Sequence, residues 1–398
     1  MKNKSIRNAI YLGTLCTVAY FAVYIAKNIL STVTPQMLEA GYNEAYIGKA
    51  SSLYYIFYAV GQLINGSIGD KIKARYMMSI GLGMAGITLF AFANFSLNLP
   101  DVSLIAYALT GFFLSMIYGP MTKVVSENVE LVYATRCSLG YTISSYLGSP
   151  MAGILAATFV WQNAFMTSSI ILVIMAIICF ICFIFFEKKG IVKYNQFKIS
   201  KENGNSIKLL IKRRIIKFTL IAMITGVVRT AVVFWMPTYL SQRLEFSSQS
   251  AASIFTVATL MITLTAFIAV FVYEKLKRNM DLTILIMFSL AALFFALVYF
   301  VSNPILNIIF LILAIMSNNA SATMLWSRYC PSLCDTGMVS GATGFLDFAS
   351  YSAASLSSAL FANAVSGIGW GNLILIWFGL MAIGIIVALP KTKFKMSE

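Results

Sequence analysis

The 398-residue chain is 59% apolar and only 11% charged, lacks histidine, and has a mean hydropathy of +0.83. A soluble fold of this length carries about 25% charged residues because much of its surface faces water, so a water-soluble globule is excluded. The 29 Lys and Arg outnumber the 14 Asp and Glu, yet the cations cluster between apolar blocks, a membrane pattern that calls for no nucleic-acid partner.

Blocks of about 20 apolar residues read as transmembrane helices, not as the alternating strands of a barrel. In chain order the spans are expected over 9–38, 45–69, 76–97, 101–126, 135–158, 161–186, 215–240, 248–273, 281–302, 304–327, 337–365 and 370–390. The basic opening from Met1 to Arg7 precedes an apolar run too long for a signal peptide and interrupted by Lys27, which points to a retained first helix. A basic segment over 187–217 separates six spans from six. The expected organisation is therefore all-α, with twelve transmembrane helices in two six-helix halves, 1–186 and 215–398, joined by a cytoplasmic linker over 187–214. With the N-terminus inside, 25 of the 29 cations face the cytoplasm, and only Lys49 and Arg243 face outward. That distribution satisfies the positive-inside rule and implies a multi-pass protein of the cell membrane with both termini cytoplasmic.

Enzymatic chemistry finds little support. Without histidine no Ser-His or Cys-His pair can form, neither HExxH nor GxxxxGK[ST] occurs, and the cysteines at 16, 137, 179, 182, 330 and 334 make no zinc pattern. No metal or cofactor is expected.

The two halves repeat one another. Lys27 stands eight residues before Pro35, and Arg229 stands eight before Pro237, at an offset of 202. The loop Asp70-Lys71-Ile72-Lys73-Ala74-Arg75 is answered by Glu274-Lys275-Leu276-Lys277-Arg278 at an offset of 204. Parallel six-helix repeats of this kind build many secondary transporters, with the substrate near the midplane between the repeats.

A cation at the centre of a span costs about 2.5–3.5 kcal/mol on insertion scales, so Lys27 and Arg229 are expected to face a water-filled cavity. The repeat then places one on each side of a central axis, where both can close on a single phosphate or carboxylate. The alternative is structural pairing with an acid, but Asp347 is the one acid well inside a span and can neutralise only one of them. Arg offers a planar fork and Lys a point charge, so the clamp is chemically unequal. Tyr20, Tyr24, Lys27 and Ser31 fall on one helical stripe, and Tyr58 with Gln62 adds a polar i, i+4 pair in the second span.

The run Gly66-Ser67-Ile68-Gly69-Asp70-Lys71-Ile72-Lys73-Ala74-Arg75 resembles the cytoplasmic loop motif of the major facilitator superfamily, and within it most resembles the organophosphate:phosphate antiporters. Tyr24 to Lys27, Pro35, Glu39, Gly41, Tyr42, Gly48, Tyr58 and Gly66 through Asp70 fit the glycerol-3-phosphate antiporter pattern without a gap. The run from Arg229 to Leu240 is similar to that family's RYGxxDWSPTYL, and Gly337 to Gly344 and Gly369 to Gly371 also fit. The resemblance implies that Arg229 and Lys27 fall on the two phosphate-binding arginine positions, with Tyr20, Tyr24 and Tyr58 lining the site. It also shows departures: Gln62 stands at the site lysine, Phe234 at the seventh-helix acid, and Phe348, preceded by Asp347, at the eleventh-helix tyrosine.

Gly66, Asp70, Lys71, Arg75 and Glu274 are expected to act in gating. Asp70 can pair with cations and approach the positive N-terminus of a neighbouring helix when the gate is shut. Lys123, Glu127 and Glu130 could join that network. The resulting expectation is an alternating-access carrier, monomeric in the bilayer, exchanging a phosphorylated organic anion for inorganic phosphate. The rivals are a proton-coupled carrier of another organic anion such as a carboxylate, with Asp347 titrating, and a transporter-like sugar-phosphate sensor. Asp347 could offset a cation, carry a proton, or favour a substrate bearing an amine.

Overall fold

The computed structural model describes residues 2–42, 44–96, 98–194, 206–246 and 248–389. Much of the expected linker, including Lys198 and Lys201, and the C-terminal residues from 390 on lie outside the described residues.

The described chain is helical throughout. The first three spans are α1 (Lys2–Glu39), α2 (Glu44–Gly69) and α3 (Ala74–Phe95). The fourth is split into α4 (Pro100–Leu114) and α5 (Tyr118–Asn128), where Pro120 cannot donate to the carbonyl of Met116. The fifth and sixth are α6 (Leu131–Thr158) and α7 (Trp161–Lys188), and a short α8 (Ser206–Lys212) follows. The seventh is α9 (Ile215–Val227), a π-helical turn (Val228–Val232) and α10 (Val233–Gln242), and the eighth is α11 (Ser248–Thr263) with α12 (Thr265–Lys275). Next come α13 (Met280–Phe300) and α14 (Pro304–Met324), the latter continuing into a second π turn (Leu325–Tyr329) and a 3-10 segment (Pro331–Thr336). The last two spans are two helices that follow one another within α15 (Val339–Ala388), interrupted at Gly369, whose φ of 75° is non-helical and open to glycine without steric cost.

Eight of the described helical segments are long and apolar enough by themselves to cross a membrane. Their outer faces carry exposed Ile87, Ile105, Ile174, Ile177 and Ile181, as lipid contact requires and water would penalise.

Contacts divide the chain into two compact units, Met1–Arg213 with Trp326–Phe348, and Arg214–Leu325 with Ala349–Glu398. Since lipid supplies no hydrophobic drive between helices, close approach depends on small residues and interhelical hydrogen bonds. In the first unit α1 lies against α6 with Gly13 facing Cys137, Gly140 facing Thr17 and Gly148 facing the Tyr24 backbone. The α3–α7 contact is made at Gly86, whose carbonyl accepts the Ser169 hydroxyl at 2.7 Å. Asn65 donates to Ser115 Oγ at 2.7 Å and ties α2 to the break in the fourth span.

In the second unit Asn307 is the main polar tie. It donates to the carbonyls of Val298 (2.8 Å) and Val301 (2.9 Å) and accepts the Tyr239 hydroxyl at 2.6 Å. Asn303 caps α14, accepting from the N–H groups of Ile305 and Leu306 ahead of Pro304 at the first turn. Lys217 and Arg214 converge on Asp281 at 3.0 and 2.9 Å.

Candidate substrate site and loop motif

In the first unit, Lys27 is 7% exposed, although it is a lysine near the middle of the 38-residue α1. Its Nζ lies 4.0 Å from the centroid of the Tyr58 ring, 5.1 Å from that of Tyr24 and 5.9 Å from that of Tyr55. Ring quadrupoles present negative faces to a cation, an attraction of about 2 kcal/mol or more once water is excluded. Three tyrosines from two helices therefore offset part of the cost of burying the ammonium.

The tyrosine wall extends beyond that group. Tyr20 meets Tyr24 edge-on at 5.0 Å and stacks on Tyr118 at 5.2 Å, while Tyr118 contacts Tyr141 at 6.2 Å and Trp326 at 5.8 Å. Tyr55, Tyr118, Tyr141 and Trp326 escaped the sequence reading because a packed aromatic and a site aromatic look alike in a chain with 20 tyrosines. Gln62, one turn along α2 from Tyr58, is fully buried, and neither its amide nitrogen nor its oxygen has a hydrogen-bond partner. Asp347 is 5% exposed and close enough to Tyr20 and Tyr118 to act on both electrostatically. Phe348 beside it is half-buried.

In the second unit, Arg229 sits in the π turn, half-buried, with its guanidinium carbon 5.9 Å from the Tyr351 ring centroid. A π turn widens the helix by one residue and re-aims the side chain it carries. One turn earlier, Gly226 allows α9 to meet α15 at Ser350, and Asn318 of α14 donates to the carbonyl of Thr225 at 3.3 Å. The side chains of Phe234 and Pro237 lie outside the described ones.

The loop motif is built around Asp70. Its Oδ1 accepts from the N–H of Ser340 at 3.0 Å and its Oδ2 from that of Gly341 at 2.7 Å, at the first turn of α15. Lys123 Nζ donates to the Asp70 carbonyl at 2.6 Å, lies 3.7 Å from Oδ1 and 3.9 Å from Glu127. Burial pushes the Asp70 carboxyl up to about 6, against the opposing pull of the Gly341 N–H and of Lys123. Gly66 and Gly344 face each other, and a Cβ on Gly66 would stand 2.9 Å from the Ser340 carbonyl and 3.0 Å from the Gly344 Cα.

The other expected gating residues go elsewhere. Arg75 pairs with Glu187 at 2.8 Å, and the same carboxylate accepts the Tyr194 hydroxyl at 3.0 Å. Lys71, Glu130 and Glu274 are exposed. The structure thus brings Asp70, Lys123 and Glu127 together and leaves Glu130 and Glu274 in the outer surface.

Comparison with known proteins agrees with this architecture. The chain matches the profile of the Major Facilitator Superfamily over residues 16–358. Among curated proteins it is 33% identical over 95 residues to the membrane sensor protein UhpC of Salmonella typhimurium, covering 24% of this chain and 21% of that one. It is 22% identical over 178 residues to the glycerol-3-phosphate transporter of Bacillus subtilis, covering 43% of this chain and 40% of that one. The phosphoglycerate transporter protein of Salmonella typhimurium is 23% identical over 384 residues, covering 88% and 82%. The first two alignments span well under half of the relatives' length. Among solved structures, the transporter FucP in its outward conformation superposes with a TM-score of 0.73 at 13% identity, over 96% of this chain and all of that one. The human organic anion transporter MFSD10 gives 0.68 at 12% identity, over 97% and 99%. At such identity these structures speak for the fold alone, and the profile match, which spans most of the chain, shows the family: this multi-pass membrane protein belongs to the Major Facilitator Superfamily.

Proposed function

We propose that the chain is an alternating-access carrier of a phosphorylated organic anion, taken in exchange for inorganic phosphate. The observation that carries this reading is the buried Lys27 ammonium with its ring of tyrosines, at the position whose repeat equivalent is Arg229. Lys27 supplies one positive contact and Arg229 the other, with Tyr20, Tyr24, Tyr58, Gln62, Asp347 and Phe348 completing the surroundings of the substrate. The relatives' names, which include glycerol-3-phosphate, hexose phosphate and phosphoglycerate transport, support a phosphate ester as the cargo.

Two like charges, one buried and one half-buried, would repel and lose solvation as the site shuts around them, which disfavours closing it empty. An anion neutralises them and permits the rocking step, so only the loaded carrier crosses. In this reading the protein lies in the cell membrane as a monomer with both termini cytoplasmic, and the Asp70 cluster locks the cytoplasmic end.

The test is uptake of labelled phosphate into proteoliposomes preloaded with phosphate, with phosphorylated metabolites added outside as competitors. Lys27→Ala and Arg229→Ala each abolish the exchange while the protein still folds, because each removes a desolvation cost. Normal exchange in either variant rejects the clamp. The similarity to UhpC supports a second reading as a sensor, for which the same vesicles would show binding without counterflow.

A further inference from the structure

The antiparallel packing of α2 on the first turns of α15 fixes a register. Asp70 meets Ser340 and Gly341, Gly66 meets Ser340 and Gly344, and the Gln62 carbonyl meets Gly344. Continuing that register by one turn of α15 places Asp347 level with Gln62, a turn along α2 from the Tyr58 ring that holds Lys27. The rise of four helical residues is about 6 Å. Tyr20 bridges the two ends: it touches Tyr24 beside Lys27, and it feels the charge of Asp347. One compact unit therefore sets an acid, by this register, about a helical turn along α2 from the level of Tyr58, whose ring holds the Lys27 ammonium.

Such an arrangement is poorly matched to a simple phosphate ester. A monoester carries about −1.5 to −2 at neutral pH, and the acid cancels the cation within this unit. A ligand that carries its own cation about a turn from its phosphate suits both ends. Its ammonium would meet a carboxylate beside an aromatic cluster, surroundings that favour organic cations.

Resting on the proposed phosphate-ester transport, we propose that the substrate is a zwitterionic phosphate monoester bearing an ammonium group, its phosphate toward Lys27 and its ammonium toward Asp347 and the tyrosine wall.

The experiment compares matched pairs as competitors of phosphate self-exchange in proteoliposomes: ethanolamine phosphate against ethyl phosphate, and glucosamine 6-phosphate against glucose 6-phosphate. In at least one pair the ammonium compound competes about tenfold better, as expected for one desolvated charge pair of about 1.4 kcal/mol. Whatever happens to the absolute rate, the preference ratio falls toward one in Asp347→Asn and returns in Asp347→Glu. Equal competition in both pairs, or a ratio untouched by Asp347→Asn, overturns the inference while leaving phosphate exchange standing. If folded protein shows no exchange, direct binding of the same pairs, followed by tryptophan fluorescence, separates the two ideas. Binding with an Asp347-dependent ammonium preference keeps the ligand class and rejects the exchange mechanism, whereas no binding rejects both.

Discussion

Asp70 and Gly341 are joined at 2.7 Å, carboxylate to backbone N–H, so an acid of the α2–α3 loop caps a helix that begins some 270 residues later in the chain. The N-terminal turn of a helix has free N–H groups and a partial positive charge, and a carboxylate answers both. Lys123, held between Asp70 and Glu127, tightens the same corner.

Removing this cap should loosen the segment it anchors. Asp70→Ala leaves the N–H groups of Ser340 and Gly341 without their acceptor, a loss of about 1–3 kcal/mol for a charge-assisted pair. The half-buried Cys334, in the 3-10 segment just ahead of Ser340, should then react with maleimide about tenfold faster or more. Peptide mapping separates it from Cys182, which is also half-buried but lies on α7 and should not change.

The same corner should respond to pH. The Asp70 carboxyl stands at about 6 in the packed state against 3.8 when solvated, so the packed state binds its proton more tightly. Since burial, not the N–H contacts, sets this shift, linkage makes the packed state most stable relative to the opened one below pH 4 and weakens it as pH rises through about 6 and the buried carboxyl takes on charge. Cys334 labelling should accelerate between pH 4.5 and 7 after correction for thiolate content. Asp70→Asn, which cannot titrate, should flatten that profile, and an unchanged slope in the variant would assign the dependence to another group.

Packing at the glycine pair gives a third expectation. A Cβ on Gly344 would overlap the Gln62 carbonyl and stand 2.9 Å from the Gly66 Cα, both of them backbone atoms that cannot rotate away. Gly344→Ala should therefore push α2 from α15 and cost about 1–3 kcal/mol, read as a lower melting temperature in detergent. Gly153→Ala, with nothing within 4 Å of its Cβ, is the control and should leave the melting temperature unchanged or raise it.

Much of this was legible in the chain itself. Block length and the placement of Lys and Arg yield the spans, because a bilayer imposes both. Lys27 and Asp70 were visible because a charge inside a span, or an acid in a basic loop, stands out against apolar surroundings. What stayed hidden depends on proximity. Nothing in the spacing of Tyr118 or Trp326 separates them from ordinary core aromatics, and only the fold stacks Tyr118 on Tyr20. The repeat also misleads at one point: Glu274 repeats Asp70 in sequence, yet Asp70 is buried under α15 while Glu274 is exposed at the end of α12. The π turn at Arg229 was equally invisible, since it shows in hydrogen bonding and not in residue type.

The last expectation concerns what holds Lys27. At 4.0 Å from the Tyr58 centroid the ammonium lies over the ring, within reach of its quadrupole. Tyr58→Phe keeps that ring and should change the KM for phosphate by about twofold at most. Tyr58→Leu keeps the bulk and removes the quadrupole, a loss of about 1–2 kcal/mol at a desolvated site, and should raise KM about tenfold or more. Lys27→Arg tests the same contact from the other side, since a guanidinium both stacks on rings and grips two phosphate oxygens. It should retain exchange with a shifted order of preference among phosphate esters. Equal damage from Tyr58→Phe and Tyr58→Leu would instead show that the hydroxyl carries the contact, and the cation–π account of Lys27 would fall.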